Sequence, residues 1–343
     1  MSMENTNHIL VTGGAGYIGA HTVVELILAG QRVTVIDNLE RSDYKMVEGI
    51  EAITKTHLDF HKLDCLDAVA LEDLFSKNRF STVIHFAAFK SVNESVVKPI
   101  DYYKNNVGSL ITLLEVMKKH QVTDLIFSSS CTVYGQPDSI PVSESAPFKR
   151  AESPYGATKQ ICERILEDAA TVGFRVISLR YFNPIGAHQS ALIGELPIGI
   201  PNNLVPYVTQ TAAAIREKLI VFGNDYDTPD GSCVRDFIHV LDVAAAHMKA
   251  IPYLDGRKEV NVFEAFNLGT GIGVSVLELV KKFIEVTGIN LSYTIGSRRP
   301  GDVGKVFADP GKINVAFAWK PRYSLGESLL HAWNWEKKLR ESV

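Results

Sequence analysis

A glycine-rich segment near the start of the chain constrains the fold more than any other feature. Residues 12–19 read TGGAGYIG, which places Gly13, Gly16 and Gly19 in the spacing G-x-x-G-x-x-G. The segment follows a short apolar run that predicts a strand, and it opens a predicted helix over residues 17–29. Glycines in this setting allow a tight turn and let the backbone approach a pyrophosphate, which the helix N-terminus then binds. The pattern predicts a dinucleotide site.

The next predicted strand supplies an acidic residue for the same site. Residues 32–36 are rich in β-branched side chains, and Asp37 follows them. A carboxylate there accepts hydrogen bonds from the ribose hydroxyls of adenosine and repels a 2′-phosphate, which favours NAD over NADP. The alternative is a glycine turn with a capping aspartate in a fold that binds no nucleotide. The combination of turn, strand and acid favours the nucleotide site.

Strands and helices alternate through the first half of the chain. This order indicates parallel βαβ units, so we predict an α/β fold with a Rossmann-type doubly wound parallel sheet. We expect an NAD-binding domain over residues 1–185, to which segments near 235–250 return, and a smaller α/β C-terminal substrate-binding domain over residues 186–343. The other predicted strands span residues 82–86, 124–128 and 175–179, and the other predicted helices span residues 71–77, 106–120, 206–218, 240–251 and 274–287.

Composition argues against several kinds of partner. With 343 residues, 46% of them hydrophobic, the chain is long enough for about two domains with a large core. The formal net charge of -4 gives no positive field for nucleic acid or an anionic membrane, so local groups must hold any anionic substrate. No apolar stretch approaches the ~20 residues that span a bilayer, and the polar first residues do not resemble a signal peptide. The cysteines, Cys65, Cys131, Cys162 and Cys233, lack the spacing of a zinc or CxxC site. We expect a cytoplasmic protein that holds no metal.

A second motif, residues 153–159, carries the candidate catalytic residues. Ser153 suits an N-cap and Pro154 the first helical position, so a helix should begin here with Tyr155 and Lys159 on one face. A phenol with a pKa of about 10 is a poor base at neutral pH. A nearby lysine ammonium, together with the positive charge of an oxidised nicotinamide, should lower that pKa and give a proton acceptor. The alternative is an exposed Tyr–Lys pair on an amphipathic helix, which the preceding Rossmann-type half disfavours.

The strand before this helix ends in hydroxyl residues. Residues 128–132 read SSSCT, and the carboxyl edge of a parallel sheet is where ligands bind in open α/β folds. We predict that one of these hydroxyls bridges Tyr155 and a sugar oxygen. We also predict that Ser128 and Ser129 only satisfy the backbone of the turn.

Longer strings resemble those of the UDP-glucose 4-epimerases, a family within the extended short-chain dehydrogenase/reductase superfamily. The similarity runs from about residue 8 to about residue 335, and it is carried by residues 12–19, 85–90, 180–184, 200–204, 222–226 and 234–240. The resemblance implies an isomerase that interconverts UDP-galactose and UDP-glucose. In that family the tyrosine takes the proton from O4, bound NAD oxidises C4 transiently, and the keto-sugar turns before it is reduced. The resemblance also implies a homodimer, in which the amphipathic helices near residues 106–120 and 160–168 would pair; the alternative is that these helices pack on the chain's own sheet.

The resemblance assigns roles to individual residues. It implies that Ser130, Tyr155 and Lys159 are the catalytic residues. These three contact NAD together with Gly13, Gly16, Tyr17, Ile18, Gly19, Asp37, Asn38, Asp64, Cys65, Phe86, Ala87, Lys90, Asn105 and Phe182. The UDP-sugar is held by Lys90, Ser130, Thr132, Tyr155, Asn183, Asn203, Leu204, Val221, Phe222, Arg235, Arg299, Asp302 and Val306. Two of these, Arg235 and Arg299, suit a clamp on a diphosphate because guanidinium groups pair with phosphate bidentately.

Position 306 is informative about the sugar. In the family, the residue aligned with Val306 lines the sugar pocket. A bulky tyrosine there accompanies UDP-glucose and UDP-galactose only, whereas a small residue accompanies N-acetylated sugars as well. Because valine is small, we expect this chain to interconvert UDP-GlcNAc and UDP-GalNAc too.

Three other functions fit the motifs less well. A sugar-nucleotide 4,6-dehydratase would carry Thr-Asp-Glu after the serine strand, whereas residues 130–132 read SCT and supply no acid for elimination. A nucleotide-sugar decarboxylase is disfavoured by the string at residues 200–204. A sensor that binds NAD without turnover would be expected to lack the tyrosine or the lysine of the second motif.

Overall fold

The computed structural model describes residues 7–299 and 302–341, in which strands and helices alternate. The strands are β1 (His8–Thr12), β2 (Arg32–Asp37), β3 (Asp59–Lys62), β4 (Thr82–His85), β5 (Asp124–Ser130), β6 (Arg175–Tyr181), β7 (Asn183–Ile185), β8 (Leu219–Phe222), β9 (Val234–Arg235), β10 (Phe237–His239), β11 (Val262–Leu268), β12 (Val274–Ser275), β13 (Tyr293–Gly296) and β14 (Lys305–Val306). The helices are α1 (Tyr17–Leu28), α2 (Lys45–Thr54), α3 (Ala68–Lys77), α4 (Val92–Val97), α5 (Pro99–Tyr102), α6 (Gly108–Lys119), α7 (Pro154–Ala170), α8 (Leu204–Ala212), α9 (Val240–Asp255), α10 (Val276–Thr287), α11 (Gly311–Ala316) and α12 (Leu325–Glu341). A π-helical turn (Tyr103–Val107) and a 3-10 turn (Cys131–Tyr134) complete them.

Seven parallel strands form the central sheet, in the order β11-β6-β5-β4-β1-β2-β3. The order reverses between β1 and β4, so the carboxyl ends of these two strands flank the crevice in which open α/β sheets bind ligands. The predicted Rossmann-type doubly wound sheet is confirmed. The division of the chain at residue 185 stays a prediction, since β11 joins this sheet from the second half.

Two apolar layers cover the faces of the sheet. On one face Ile9 and Val35 pack with α1 and α9, and on the other Leu10 and Ile36 pack with α3, α6 and α7. Successive residues of a strand point to opposite faces, so a parallel strand that is covered on both sides is apolar throughout. The burial of these strands fixes the position of their carboxyl ends, which carry the candidate site.

A third apolar cluster organises the residues after β7. Val208 of α8, Val221 of β8, Phe283 of α10 and Leu329 of α12 are buried together. Strand β8 pairs in parallel with β13, and β9 lies between β12 and β14. Across residues 7–299 and 302–341, none of the helices combines the length and the apolar character needed to cross a bilayer.

Some element boundaries differ from the sequence-based prediction. The helix predicted over residues 206–218 ends at Ala212, because Ala214 adopts a left-handed φ of 56°. The helix predicted over residues 240–251 continues through Pro252 to Asp255. Strand β3 and all strands from β7 to β14 are not predicted from the sequence. Two of these, β8 and β13, pair only with each other, far apart in the chain.

Candidate functional site

The glycine turn approaches the loop after β4 closely. Gly13 has a φ of 69°, and a Cβ atom on it would lie 2.6 Å from the backbone nitrogen of Ala87. A Cβ atom on Gly19 would lie 2.3 Å from the carbonyl oxygen of Gly13. Gly16 is the N-cap of α1 and offers no side-chain oxygen, so the first N–H groups of the helix are left for a ligand. The turn therefore has the form of a pyrophosphate-binding site.

A cavity of about 300 Å³ lies between this turn, the carboxyl ends of the strands and residues 194–206. The predicted cofactor residues that line it are Gly13, Gly16, Tyr17, Ile18, Gly19, Asp37, Asn38, Asp64, Cys65, Phe86, Ala87, Lys90, Asn105, Tyr155 and Lys159. The two others, Ser130 and Phe182, are buried next to the wall. Ser130 is hydrogen-bonded to Tyr155 and Phe182 follows Tyr181 in the chain, and both tyrosines line the cavity. One cavity thus brings together nearly all the residues expected to bind NAD.

Asp37 ties the end of β2 to the glycine turn. Its Oδ2 accepts a hydrogen bond from the Ala15 N–H (3.1 Å), and its Oδ1 accepts from the Leu39 N–H (2.9 Å) and the Ser42 hydroxyl (2.7 Å). Burial raises the pKa of this carboxyl above its usual range, although the three hydrogen bonds act in the opposite direction. A carboxylate has about four acceptor positions, so capacity remains for ribose hydroxyls at the cavity wall.

Helix α7 begins where the sequence predicts. The Ser153 hydroxyl accepts a hydrogen bond from a backbone N–H of the first turn (3.2 Å), and Pro154 is the first residue of the helix. Tyr155 and Lys159 then line the cavity one turn apart. The Lys159 ammonium donates to the carbonyl oxygen of Ser128 (2.6 Å) and lies 6.0 Å from the centre of the Tyr155 ring.

Burial controls the ionisation of this pair in the chain alone. It raises the pKa of Tyr155 to about 12, against the effect of a hydrogen bond with Ser130, and it lowers the pKa of Lys159 to about 8. Desolvation of the phenol dominates in the chain without a ligand, so the lowering of its pKa by Lys159 and NAD⁺ together stays a prediction. A positive ligand charge beside the phenol is needed to favour the phenolate at neutral pH. The nicotinamide ring of NAD⁺ carries such a charge.

Ser129 belongs to a buried network, so the prediction that it only satisfies the turn is wrong. Its hydroxyl donates to Oε1 of Glu163 (2.5 Å), and Nη2 of Arg180 pairs with Oε2 of the same carboxylate (2.6 Å). Glu163 lies one helical turn after Lys159 on α7, whereas Ser129 and Arg180 belong to β5 and β6. The network ties together the three elements that carry or adjoin the catalytic residues.

Some of the predicted substrate residues form a second group around β9. We call it the arginine group, and it consists of Phe222, Arg235, Arg299 and Asp302. Arg299 pairs with Asp302 (2.7 Å), and Arg235 lies 3.7 Å from the same carboxylate. The Arg299 guanidinium lies 5.7 Å from the centre of the Phe222 ring, and Val306 of β14 is in register with Arg235. Two guanidinium groups and an aromatic ring suit a nucleotide diphosphate. Of the other predicted substrate residues, Lys90 and Asn203 line the cavity, Leu204 begins α8, and Val221 is buried in β8.

Two buried polar atoms near the arginine group have no hydrogen-bond partner within the described ranges. They are Oγ1 of Thr132 and Oδ1 of Asn183. An unpaired buried polar atom costs ~1–3 kcal/mol, so each of these atoms is expected to bond to water or to a ligand. Thr132 belongs to the 3-10 turn after β5, and Val306 packs in one apolar cluster with Val133 of that turn. The arginine group thus adjoins the catalytic end of β5.

The cavity wall includes residues that the sequence does not predict, among them Tyr181, Glu195 and Arg41. The Tyr181 hydroxyl contacts Nε2 of His247 (2.7 Å) and forms a hydrogen bond with Ser128. Ser128 therefore serves the cavity wall, and the prediction that it only satisfies the turn is wrong. Tyr181 lies in the family-like string at residues 180–184, which could have identified it. Glu195 has no comparable signal.

The chemistry of the wall suits a dinucleotide. A free helix N-terminus and Lys90 are available for phosphates, and Asp37 is available for a ribose. Among residues 7–299 and 302–341, no group of three or more His, Cys, Asp or Glu side chains could hold a metal ion. The residues present therefore fit NAD.

Comparison with known proteins gives a consistent result. Residues 9–269 match the model of the NAD dependent epimerase/dehydratase family. A UDP-glucose 4-epimerase of Dictyostelium discoideum is 48% identical over 332 residues, which cover 96% of this chain and 96% of that protein.

Two solved structures have a closely similar fold. A UDP-glucose 4-epimerase from Stenotrophomonas maltophila, with bound NAD and formylated UDP-arabinopyranose, superimposes with a TM-score of 0.95 at 43% identity, covering 98% of this chain and 100% of the other. A UDP-glucose 4-epimerase from Bifidobacterium longum, in complex with NAD⁺ and UDP, gives a TM-score of 0.93 at 43% identity with the same coverage.

Proposed function

The chain belongs to the NAD dependent epimerase/dehydratase family, and from that membership we propose that it is a UDP-glucose 4-epimerase. This isomerase inverts C4 of the hexose in UDP-galactose and UDP-glucose, with NAD as its cofactor. One observation carries the proposal. Tyr155 and Lys159 line a cavity suited to a dinucleotide, next to a group of arginines suited to a second diphosphate.

Tyr155 is the residue that removes the proton from O4 of the sugar. Its phenol is hydrogen-bonded to Ser130, whose hydroxyl offers a path for the proton between the phenol and the sugar oxygen. NAD, when bound, supplies the hydride acceptor for C4 and returns the hydride afterwards. The buried Lys159 ammonium keeps N–H donors in the cavity, where they suit a ribose hydroxyl and a phenolate.

Inversion requires the sugar to turn while the nucleotide stays fixed. The arginine group, with Phe222, provides charged and aromatic contacts for the uridine diphosphate. Beside the 3-10 turn after β5 lies the apolar cluster that contains Val133, Phe182 and Val306. Apolar side chains give a hexose few directional contacts, so the binding energy resides in the nucleotide and the sugar is free to turn.

Turnover without added cofactor is the direct test. Purified protein would be incubated with UDP-galactose, and the products would be resolved by anion-exchange chromatography or NMR. We expect UDP-glucose to form, because NAD is regenerated in every turnover and stays bound. If no conversion occurs even after NAD is added, the epimerase assignment is wrong, and decarboxylation or dehydration at the same Tyr–Lys site becomes the better explanation.

We propose that the enzyme also interconverts UDP-GalNAc and UDP-GlcNAc, because Val306 is a small side chain that packs against the 3-10 turn after β5. The substitution Val306→Tyr should lower kcat/KM for UDP-GalNAc by about 100-fold, since its ring would add bulk where the N-acetyl group is expected. The same change should alter kcat/KM for UDP-galactose by at most about threefold. Coupled assays on both sugars measure the two effects.

Val306→Ala is the matched control for the specificity change. It keeps a small side chain at this position, so both activities should persist. An unaltered enzyme that converts UDP-galactose rapidly but leaves UDP-GalNAc untouched would rule out the broader specificity, without affecting the epimerase assignment.

We propose a homodimer from the apolar surface that α4, α5, α6 and α7 expose. Val97 is 79% exposed, and Ile100, Ile111 and Ile161 are also exposed. Clustered apolar exposure of this kind marks an interaction site, and a two-fold dimer buries the same surface on both copies. We expect the protein to sediment at about twice the mass of a 37.8 kDa chain.

The double substitution Ile111→Glu/Ile161→Glu tests the dimer. It should give a monomer in sedimentation velocity, because an interface that buries four unpaired carboxylates loses several kcal/mol. Val315→Glu is the control, since Val315 is 86% exposed on α11, away from this surface. The proposal fails if the unaltered protein is already a monomer at micromolar concentration.

We propose the cytoplasm as the location. All four cysteines are free, and three of them are buried. Free cysteines without disulfides are typical of a reducing compartment. Cell fractionation with an antibody against the protein would test this location.

A further inference from the structure

Glu195 connects the two halves of the site through a single oxygen atom. Its side chain is 10% exposed in the cavity wall. Oε1 accepts a hydrogen bond from the Lys90 ammonium (2.7 Å) and a second one from the Asn203 side-chain amide (2.6 Å). Lys90 follows β4 beside the glycine turn, and Asn203 is the N-cap of α8 in the C-terminal part. A carboxylate therefore bridges a residue expected to meet NAD and a residue expected to meet the UDP-sugar.

The backbone of Glu195 is held independently of its side chain. Its carbonyl oxygen accepts a hydrogen bond from the indole N–H of Trp335 on α12 (2.9 Å). A Cβ atom on the preceding Gly194 would lie 2.5 Å from the Trp335 ring, so the chain packs directly on the indole there. Trp335 itself is buried. Since α12 fixes the backbone, the carboxylate is presented at a defined position in the cavity.

The bridge leaves both partners able to bind ligands. An ammonium has three N–H donors and a side-chain amide has two donors and an acceptor, so each keeps groups free after bonding to Glu195. A carboxylate in a cavity for anionic ligands would repel them if it were uncompensated, and Lys90 provides the compensating charge. Glu195 is also close enough to Tyr17, at the start of α1, for its charge to help burial raise the pKa of that phenol. The carboxylate thus lies beside the expected phosphate position.

We propose that Glu195 is a positioning residue that couples retention of NAD to binding of the nucleotide-sugar. When one ligand orders Lys90 or Asn203, the shared carboxylate also orders the other residue, so each ligand strengthens the binding of the other to the same extent. The proposal rests on the proposed function, because it requires a dinucleotide and a UDP-sugar in these two halves.

The test measures binding and does not depend on turnover. Enzyme loaded with NAD would be diluted into an NAD-trapping assay, and the rate of NAD release would be measured with and without saturating UDP. The affinity for UDP would be measured by calorimetry. We expect UDP to slow NAD release at least about fivefold in the unaltered enzyme, which corresponds to ~1 kcal/mol of coupling. In Glu195→Ala that ratio should fall to near one, and the Kd for UDP should rise about tenfold.

Glu195→Gln separates charge from hydrogen bonding. The amide oxygen still accepts from Lys90 and Asn203, so the Gln variant should keep part of the coupling and should fold even if the Ala variant does not. Glu285→Gln is the control, since it removes a carboxylate from an exposed ion pair with Lys282. It should leave the release ratio and the Kd unchanged.

Two results would overturn the proposal. One is an unaltered enzyme in which UDP does not slow NAD release. The other is a folded Glu195 variant whose release ratio stays within about twofold of the unaltered enzyme, a change that amounts to less than half a kcal/mol of coupling. Failure of the proposed function would look different. It would appear as absent sugar conversion, whether or not UDP and NAD binding are coupled.

Discussion

Tyr155→Phe is expected to lower kcat for UDP-galactose by about 1000-fold, because proton transfer by a positioned side chain contributes ~100–10,000-fold. The substitution removes only the hydroxyl that bonds to Ser130 and leaves the partly buried ring in place. The protein should therefore keep its fold and its bound NAD. Tyr293→Phe, at an exposed position on β13, is the matched control and should leave kcat unchanged. A Tyr155→Phe enzyme with more than about a tenth of the normal kcat would show that another group accepts the proton.

The ionisation of Tyr155 can be tested separately, by ultraviolet spectroscopy. Burial favours the neutral phenol and raises its pKa to about 12 in the chain alone, so the phenolate forms only as the pH rises toward that value. In cofactor-free protein, the ultraviolet difference spectrum between the unaltered chain and Tyr155→Phe should show no phenolate at neutral pH. Loading with NAD⁺ should shift the phenolate signal to lower pH, because a positive charge nearby favours the charged form. A phenolate at neutral pH without cofactor would contradict this account.

Gly13→Ala is expected to lower NAD affinity by about 100-fold, which corresponds to ~3 kcal/mol. Two effects occur at this position, and only the second changes the NAD site. A Cβ atom in the left-handed region costs ~1–2 kcal/mol, and here it would also lie 2.6 Å from the backbone nitrogen of Ala87, which must then move. Since both segments line the cavity, the displacement changes the surface that meets the pyrophosphate. The NAD content of the purified protein and its Kd measure the effect.

Gly30→Ala separates the two effects. Gly30 has a φ of 79°, similar to that of Gly13, but an added Cβ atom would meet nothing within 4 Å. This substitution should therefore cost only the ~1–2 kcal/mol of backbone strain, seen as a small drop in the free energy of unfolding. NAD content should stay normal. If both variants lost NAD equally, general destabilisation would explain the loss, and close approach at Gly13 would not.

Local signals account for the part of the fold that the sequence predicts. The strand, glycine turn and helix at the start are contiguous, and so are the cap residues Ser153 and Pro154 that begin α7. In each case neighbouring residues determine the conformation. The apolar character of the parallel strands likewise follows from their burial on both faces. These signals were sufficient for five of the seven strands of the central sheet, β1, β2, β4, β5 and β6, and for the helix that carries Tyr155 and Lys159.

Features that depend on distant contacts were missed. The proposed role of Glu195 depends on partners in the loop after β4, at the start of α8 and on α12. These partners are far from Glu195 or from one another in the sequence, so no local pattern predicts the contacts. Ser129 meets a glutamate on α7 and an arginine on β6 only after the sheet has formed. The ionisation of Tyr155 follows from its burial, which depends on how the whole cavity is packed. The spacing of the Tyr–Lys pair alone therefore does not predict how strongly desolvation raises the pKa of the phenol in the chain without a ligand.

The strand β11 has a consequence for how the protein is made. β6 pairs with β5 on one side and with β11 along its whole length on the other, yet β11 lies far later in the chain. During synthesis, β6 must remain an open sheet edge until the ribosome has delivered Leu268. Open edges pair readily with other chains, so a ribosome that stalls before β11 releases an aggregation-prone fragment. The interval between β6 and β11 is thus a stage at which the nascent chain exposes an unpaired strand edge.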